Sequence, residues 1–564
     1  MKKYIALFLA VVMVLCCFAG CGSKPAGDSG SSSGTSSGTS SGTSSGTSSG
    51  TSSGTDAAKK VEPIIDTDGK RTLRFGVDDL GRFLEGLSPA ESYPMDTLIF
   101  DAIFRTDPYT KKIISDCLEK WEWEDDHFFV LTLKDGVTFS NGQKATSEDV
   151  LFSYSNHSPR GSNYTSAMNI EFDKCEIRDE KTVALYCTTP TLAIERSNYI
   201  HLYCKSWCEQ VGWDSEEWYN PVGSGPYKVA DYKYGNEATL VLRDEYWNKD
   251  AEPAYIEKWY FKQYSDAGAM MMDLELGNLD ICQATSADYS RYVNDANKDK
   301  LGYAVYNDPT GAVEYLGFAI GDFPEVWGNK DARLAIAHAV DWPAVGAFIH
   351  QDMYKPANGL TPDSSPYFTA GGQYEYNVDL AKEYLQKAGI DPATTTLKMI
   401  IMNTASYNAF AEVMQFYLKD LGFSTDFQAA DISAALAAWM NTGSSDFNFF
   451  WNNGGNVNQD VPGTMSTADM ATGCTWQQIS IFDEKYNELY DHAMDPRISD
   501  EERVKANEAL SKYVYDECLA VPVAQFSMAF AYNTNTLTET IVDAITFSNR
   551  YQAIGCYQQS AWSK

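Results

Sequence analysis

Basic residues are scarce in this chain: 44 Lys and Arg stand against 77 Asp and Glu, a formal net charge of −33. No run of basic residues interrupts that acidity, so a nucleic acid partner is excluded: phosphate would be repelled by the field of the whole molecule. Histidine is scarcer still. Six residues are scattered with no His-x-x-x-His spacing, and no Cys-x-x-Cys pair occurs, so neither a metal site nor a cofactor is expected. The chain also lacks His-Glu-x-x-His and any nucleophile elbow set between a strand and a helix, which argues against an enzyme. Gly34-Thr35-Ser36-Ser37-Gly38 has the elbow spacing, but it falls in a repetitive tract with no strand or helix pattern beside it. Asp66-Thr67-Asp68-Gly69 has its glycine at the fourth position, where a calcium loop needs it at the sixth, and reads as a turn before the first strand. Long apolar runs are missing as well. The longest, Tyr4 to Phe18, would make a helix of about 22 Å, short of a bilayer core of about 30 Å.

That short run is informative in its context. Lys2 and Lys3 precede it, and Phe18-Ala19-Gly20-Cys21 closes it. The pattern resembles a bacterial lipoprotein signal with its lipobox, which implies removal of residues 1–20, lipid attachment at Cys21, and a cell-membrane location on the extracytoplasmic face. Six Ser-Ser-Gly-Thr repeats follow over residues 32–55. They offer no apolar side chain to bury, so residues 21–60 are expected to act as a disordered tether, with an average reach of roughly 35 Å.

About 500 residues remain for folded structure, with 44% hydrophobic residues over the chain, enough for more than one core. Of the 12 cysteines, nine lie beyond Cys21. An odd number cannot all pair; Cys204 with Cys208 and Cys175 with Cys187 are possible partners that spacing does not compel. The body alternates strand and helix patterns. Leu73 to Val77 reads as a strand, Leu118 to Glu124 and His127 to Leu133 as a hairpin, and Thr146 with Asp149 as the capping pair of a helix. Further on, a helix from Asp379 to Gly389 precedes a strand Leu397–Met402. Then come a helix Ala409–Leu421, a strand Ser424–Phe427, a helix Ile432–Met440 and a strand Phe447–Trp451. Alternation of this kind predicts an α/β architecture with ligand-facing residues at strand ends.

Five blocks, in order, resemble the family 5 extracytoplasmic solute-binding proteins, the oligopeptide and dipeptide receptors of ABC importers. Cys117 to Trp123, Phe129 to Leu133, Lys134-Asp135-Gly136-Val137-Thr138-Phe139 and Ala145 to Val150 make the first. Pro221-Val222-Gly223-Ser224-Gly225-Pro226-Tyr227, with Tyr246-Trp247 after it, makes the second. Asp331 to Asp341, Asp379 to Gly389, and Glu502-Arg503 to Val521-Pro522 are the others. The resemblance implies a two-lobed periplasmic-binding-protein type II-like fold with a subdomain inserted in the first lobe. Lobe one would combine residues 61–95, 215–315 and 531–564; the insert would span 96–214, and lobe two 316–530. It also implies capture of a solute, above all a peptide, between closing lobes, and delivery by a monomer to an ABC permease and ATPase. Alternatives within transport are an oligosaccharide or metal-chelate ligand; outside it, a surface adhesin or sensor.

Family peptide binders meet the ligand ammonium with an aspartate after a lobe-two strand. At the matching place Trp451 is followed by Asn452-Asn453-Gly454-Gly455, so the acid is missing, and Asp78, Asp79 or Asp460 are its candidate replacements. Met399 to Leu418 likewise lacks the basic residue that dipeptide receptors use for the carboxylate. The expected pocket therefore comprises Trp451 as an aromatic wall, Asn452 and Asn453 as amide partners, Asp78 and Asp79 after the first strand, and Asn403, Ser406 and Tyr407 at a strand-to-helix turn. Ser224 is expected to pack within its turn, and Arg333 to form a structural ion pair.

Overall fold

The computed structural model describes residues 61–78, 80, 93–106, 112–155, 168–196, 200–213, 215–249, 254–294, 303–320, 323–359, 372–430, 434–435, 438, 449–454, 484–546, 559 and 562; at 303–312, 450–454, 526 and 543–546 only the backbone is described. The signal, Cys21, the repeats, Asp79 and Asp460 lie outside the described residues, as does most of the helix expected over Ile432–Met440.

β1 (Arg71–Val77) is buried along most of its length because both faces of its sheet are covered. It pairs in parallel with β2 (Lys258–Gln263) and with β3 (Ile281–Ala284). The turn Asp66–Gly69 precedes it, closed by Gly69 N donating to Asp66 O at 2.8 Å, and Lys258 binds both of its aspartates. The hairpin Tyr227–Lys233 and Glu237–Leu242 extends one edge of the sheet. Leu73, Phe75, Tyr227, Leu240, Trp259 and Phe261 form its core. After β3 comes helix α1 (Ser286–Asn294), and then β4 (Tyr303–Phe318), a strand of 16 residues.

A second core gathers around helix Lys330–Ala339, helix α2 (Trp342–His350), helix Val378–Ala388, strand β5 (Thr396–Met402), helix α3 (Ala405–Asp420) and strand β6 (Ser424–Ala430). Strand β7 (Phe449–Gly454), helix Glu484–Met494 and helix Asp500–Asp516 complete it. β8 (Ala520–Asn533) then returns to the first core, antiparallel to β4 from Gly317↔Ala520 to Tyr303↔Asn533. The two strands are more than twice the usual strand length, and β8 carries Val521, Val523 and Ala524 into the second core and Met528, Phe530 and Tyr532 into the first. Two α/β lobes are thus joined by a crossover ribbon. Its register breaks between Pro309 and Ala312 and again between Glu314 and Tyr315, and such bulges concentrate twist at one point. A third core, within residues 103–204, surrounds a four-stranded sheet ordered Leu118–Trp123, Phe128–Leu133, Thr182–Tyr186, Glu176–Ile177.

Local chemistry explains most element ends. Thr146 donates through both N and Oγ1 to Asp149 Oδ2, at 2.8 and 2.9 Å, and starts helix Ser147–Ser155. Asn377 caps helix Val378–Ala388, two residues before the expected Asp379, and Gly389 ends it in the left-handed region at φ 72°. Helix α3 begins at Ala405 rather than Ala409, because Thr404 caps a first turn that carries no apolar stripe. The strand expected over Phe447–Trp451 runs instead over Phe449–Gly454: pairing with β4 overrides the turn preference of Asn452-Asn453-Gly454. Arg333 differs from its expected ion pair, since its guanidinium donates to the carbonyls of Trp327, Glu517 and Cys518. Among the described residues Cys117, Cys175, Cys187, Cys204, Cys208, Cys282 and Cys518 are free thiols, so neither candidate pairing is formed.

Candidate functional site

In open α/β sheets ligand contacts gather beyond the C-terminal ends of parallel strands. In the first lobe β1, β2 and β3 end at Val77, Gln263 and Ala284, and Ala284 pairs with Ala529 in β8, beside the middle of the ribbon. Asp78 follows β1 directly and is exposed, while the Oε1 atom of Gln263 is buried without a hydrogen-bond partner. From the second lobe β7 runs toward the same place: Phe449 pairs with Phe318 deep in the core, and Gly454 with Val313 near the ribbon's bulges. The strand ends of both lobes therefore converge on the centre of the ribbon.

Trp451, Asn452 and Asn453 sit within β7, paired through their backbones with Leu316, Tyr315 and Glu314. This corrects the expectation that Trp451 ends a strand and that the asparagines form a loop after it. The correction also exposes residues that sequence reasoning missed. Glu314, 4% exposed, accepts a hydrogen bond from His350 Nε2 at 2.6 Å. Burial works against charge on His350, but the charge of Glu314 and its hydrogen bond outweigh it and raise the imidazole above its ordinary pKa. The pair lies next to the backbone of Asn453, the register partner of Glu314 in β7. The first signal that could have revealed it is Glu314 itself, an acid set in the apolar stretch from Ala312 to Phe318.

Asn403, Ser406 and Tyr407 lie together at the turn from β5 into α3. Asn403 N donates to Ala430 O at 2.7 Å, and its side-chain oxygen accepts from Asn408 Nδ2 at 3.0 Å, which fixes the amide. Ser406 is exposed, with its Oγ 3.3 Å from Thr404 Oγ1; Tyr407 is half-buried against the second core. β5 and β6 form their own two-stranded sheet, and β5 lies beside β7. A cavity of about 660 Å³ lies elsewhere, where the first and third cores meet, lined by Leu151, Phe152, Lys205, Cys208 and Trp213.

Two α/β lobes joined by long crossover strands, with strand ends facing the junction, define a two-lobed ligand-binding protein. The family model "Bacterial extracellular solute-binding proteins, family 5 Middle" matches residues 112–475. The chain belongs to that family. Among relatives, the nickel-binding protein NikA of Staphylococcus aureus is 24% identical over 360 residues, 62% of this chain and 68% of that protein. The dipeptide-binding protein DppE of Bacillus subtilis is 24% identical over 340 residues, 54% of this chain and 59% of its own length. Among solved structures, DppA of Helicobacter pylori in complex with the peptide STSA superposes with a TM-score of 0.72 at 17% identity, covering 86% of this chain and 97% of that one.

Proposed function

We propose that this protein is the lipid-anchored substrate-binding component of an ABC importer, which takes a peptide between its two lobes and hands the closed form to a permease and ATPase. The observation that carries the reading is the family match across residues 112–475, joined to a fold in which the strand ends of both lobes meet one crossover ribbon. Relatives named for dipeptide and oligopeptide binding support a peptide over the other ligands. So does composition: Asn452 and Asn453, in the strand that reaches the ribbon, are amide residues of a kind suited to peptide bonds. Trp451, Asn452, Asn453, Asp78, Asp79, Asn403, Ser406, Tyr407 and Asp460 are the residues assigned to contact the ligand in this reading. The division into lobe one (61–95, 215–315, 531–564), insert (96–214) and lobe two (316–530) belongs to the same proposal, as does a monomer held at the extracytoplasmic face through Cys21.

Two experiments test it. Thermal unfolding with tripeptides to octapeptides should show stabilisation by a subset, about 2.7 kcal/mol at 100 times the dissociation constant, and Trp451→Ala should weaken that binding about tenfold or more without loss of fold. No stabilisation by any peptide contradicts the ligand assignment. Mass analysis of the mature N-terminus should find a diacylglycerol on Cys21; an unmodified cysteine contradicts the anchor.

A further inference from the structure

One surface of the ribbon is crossed by a contact between lobes. Ser286, Ser290 and Asn294 recur every four residues along α1, on one helix face. Ser286 meets the end of α2, and Ser290 and Asn294 meet the short 3₁₀ turn Gln351–Met353 that follows it. Ser286 Oγ donates to Ile349 O at 3.5 Å, Asp352 N donates to Ser290 Oγ at 3.4 Å, and Asn294 Nδ2 donates to Asp352 Oδ2 at 3.0 Å. Met353 is buried in the cluster of Met270, Met271, Tyr292, Ala529 and Ala531. The next residues join the ribbon itself: Gln525 N donates to Lys355 O at 2.9 Å, and Pro356 bridges Ala524.

This connection is under strain from two sources. Gln351 has φ 50° and ψ −127°, a backbone conformation that side chains rarely adopt. It is trapped there because His350, just before it, is fixed to Glu314, while Asp352 and Met353, just after, are fixed to α1. Beneath it, Gln525 and Ser527 are each 5% exposed, and Gln525 Oε1 and Ser527 Oγ have no hydrogen-bond partner. They alternate on β8 with Ala529 and Ala531, so they share the strand face that the Met353 cluster covers. Ser527 pairs with Pro309, at the edge of the ribbon's first bulge.

We propose that residues 350–356 form a strained strap that ties the second lobe to α1 of the first and sets the equilibrium of the hinge. Its attachments to Glu314, Ala524 and Gln525 lie on one side of the bulge at Pro309–Ala312 and α1 lies on the other, so lobe rotation about that bulge must move the turn against α1. Release frees Gln351 from its conformation and opens the two orphan oxygens to water, which holds the strapped and released states close in energy. A hinge so poised responds to a ligand with a modest difference in affinity for the two states.

The test needs no ligand, so it is independent of the peptide reading. Donor and acceptor fluorophores are placed through non-natural amino acids at the exposed residues Tyr234 and Phe416, one on each lobe, in the full-length protein, and interlobe transfer is recorded for single molecules. Gln351→Gly removes the strain while keeping the strap, and should raise the population of the strapped state about tenfold. Ser290→Ala combined with Asn294→Ala cuts the strap at exposed or half-buried positions, and should shift the distribution several-fold the other way. Circular dichroism confirms folding of each variant. Transfer distributions identical in all three proteins, or shifts of the same sign in both variants, would overturn the proposal, because a merely structural contact changes stability without changing lobe separation.

Discussion

Asp101 is the carboxyl group in the most unusual surroundings. It is 2% exposed, accepts hydrogen bonds from Tyr246 Oη at 2.9 Å and Trp247 Nε1 at 2.8 Å, and its backbone N donates to Ser224 Oγ. Burial, helped by the charge of Asp116, pushes it up to about 7 against those hydrogen bonds and the charge of Arg243. A carboxyl whose folded pKa lies above its unfolded value of about 3.8 takes up a proton on folding, so its contribution is greatest below pH 4 and is lost as pH rises to about 7. Asp101→Asn should remove roughly 1–3 kcal/mol of that decline between pH 4 and 7 in urea unfolding, whatever its effect at a single pH. His350 acts at the next window. Its folded pKa is raised above 6.5, so its pairing with Glu314 stabilises fully below 6.5 and is lost as pH climbs through the raised value. His350→Gln should flatten the stability profile above pH 6.5 and leave the Asp101 slope in place; an unchanged profile above 6.5 would show that the pair does not titrate there.

Among elements, the turn Gly223-Ser224-Gly225 shows what sequence can and cannot reveal. Its spacing is legible as part of a family block, but the reason for its glycines is a tertiary contact. A Cβ on Gly223 would lie 2.1 Å from Ile99 O, and one on Gly225 2.7 Å from Ile99 C. Arg243 closes the turn by donating to the carbonyls of Gly223, Ser224 and Gly225. Gly225→Ala should therefore cost about 2–4 kcal/mol, measured by denaturant unfolding, since backbone on backbone cannot be relieved by a rotamer change. The helix at Thr146 was readable because its cap lies within one turn, and so was the stop at Gly389. β7 was not: Asn452-Asn453-Gly454 carries loop composition, and only its pairing with distant β4 makes it a strand. The same holds for Glu314 and His350, which are 36 residues apart and meet only when α2 packs on the ribbon.

At the scale of the whole molecule, four buried clusters and one ribbon account for the architecture of the described residues. The two-lobed plan was legible because five short blocks keep a family's order from Cys117 to the start of the last crossover strand. The proposed ligand contacts were less so, because the sequence after Trp451 carries amides where the family's peptide binders carry an acid, and amides have no sequence signature of their own. The strap is also invisible in sequence: Ser290, Asn294 and Asp352 are ordinary surface residues until both lobes are assembled. The account therefore makes one central claim, that a peptide occupies the junction of the two lobes. Native mass spectrometry of the intact protein released from mild detergent tests it most directly, by reading the mass of whatever co-purifies and repeating the measurement with Trp451→Ala. The account predicts a bound peptide mass in the parent protein that is lost or strongly reduced in the variant; a bound sugar or metal chelate, or a peptide retained equally by both proteins, would contradict it.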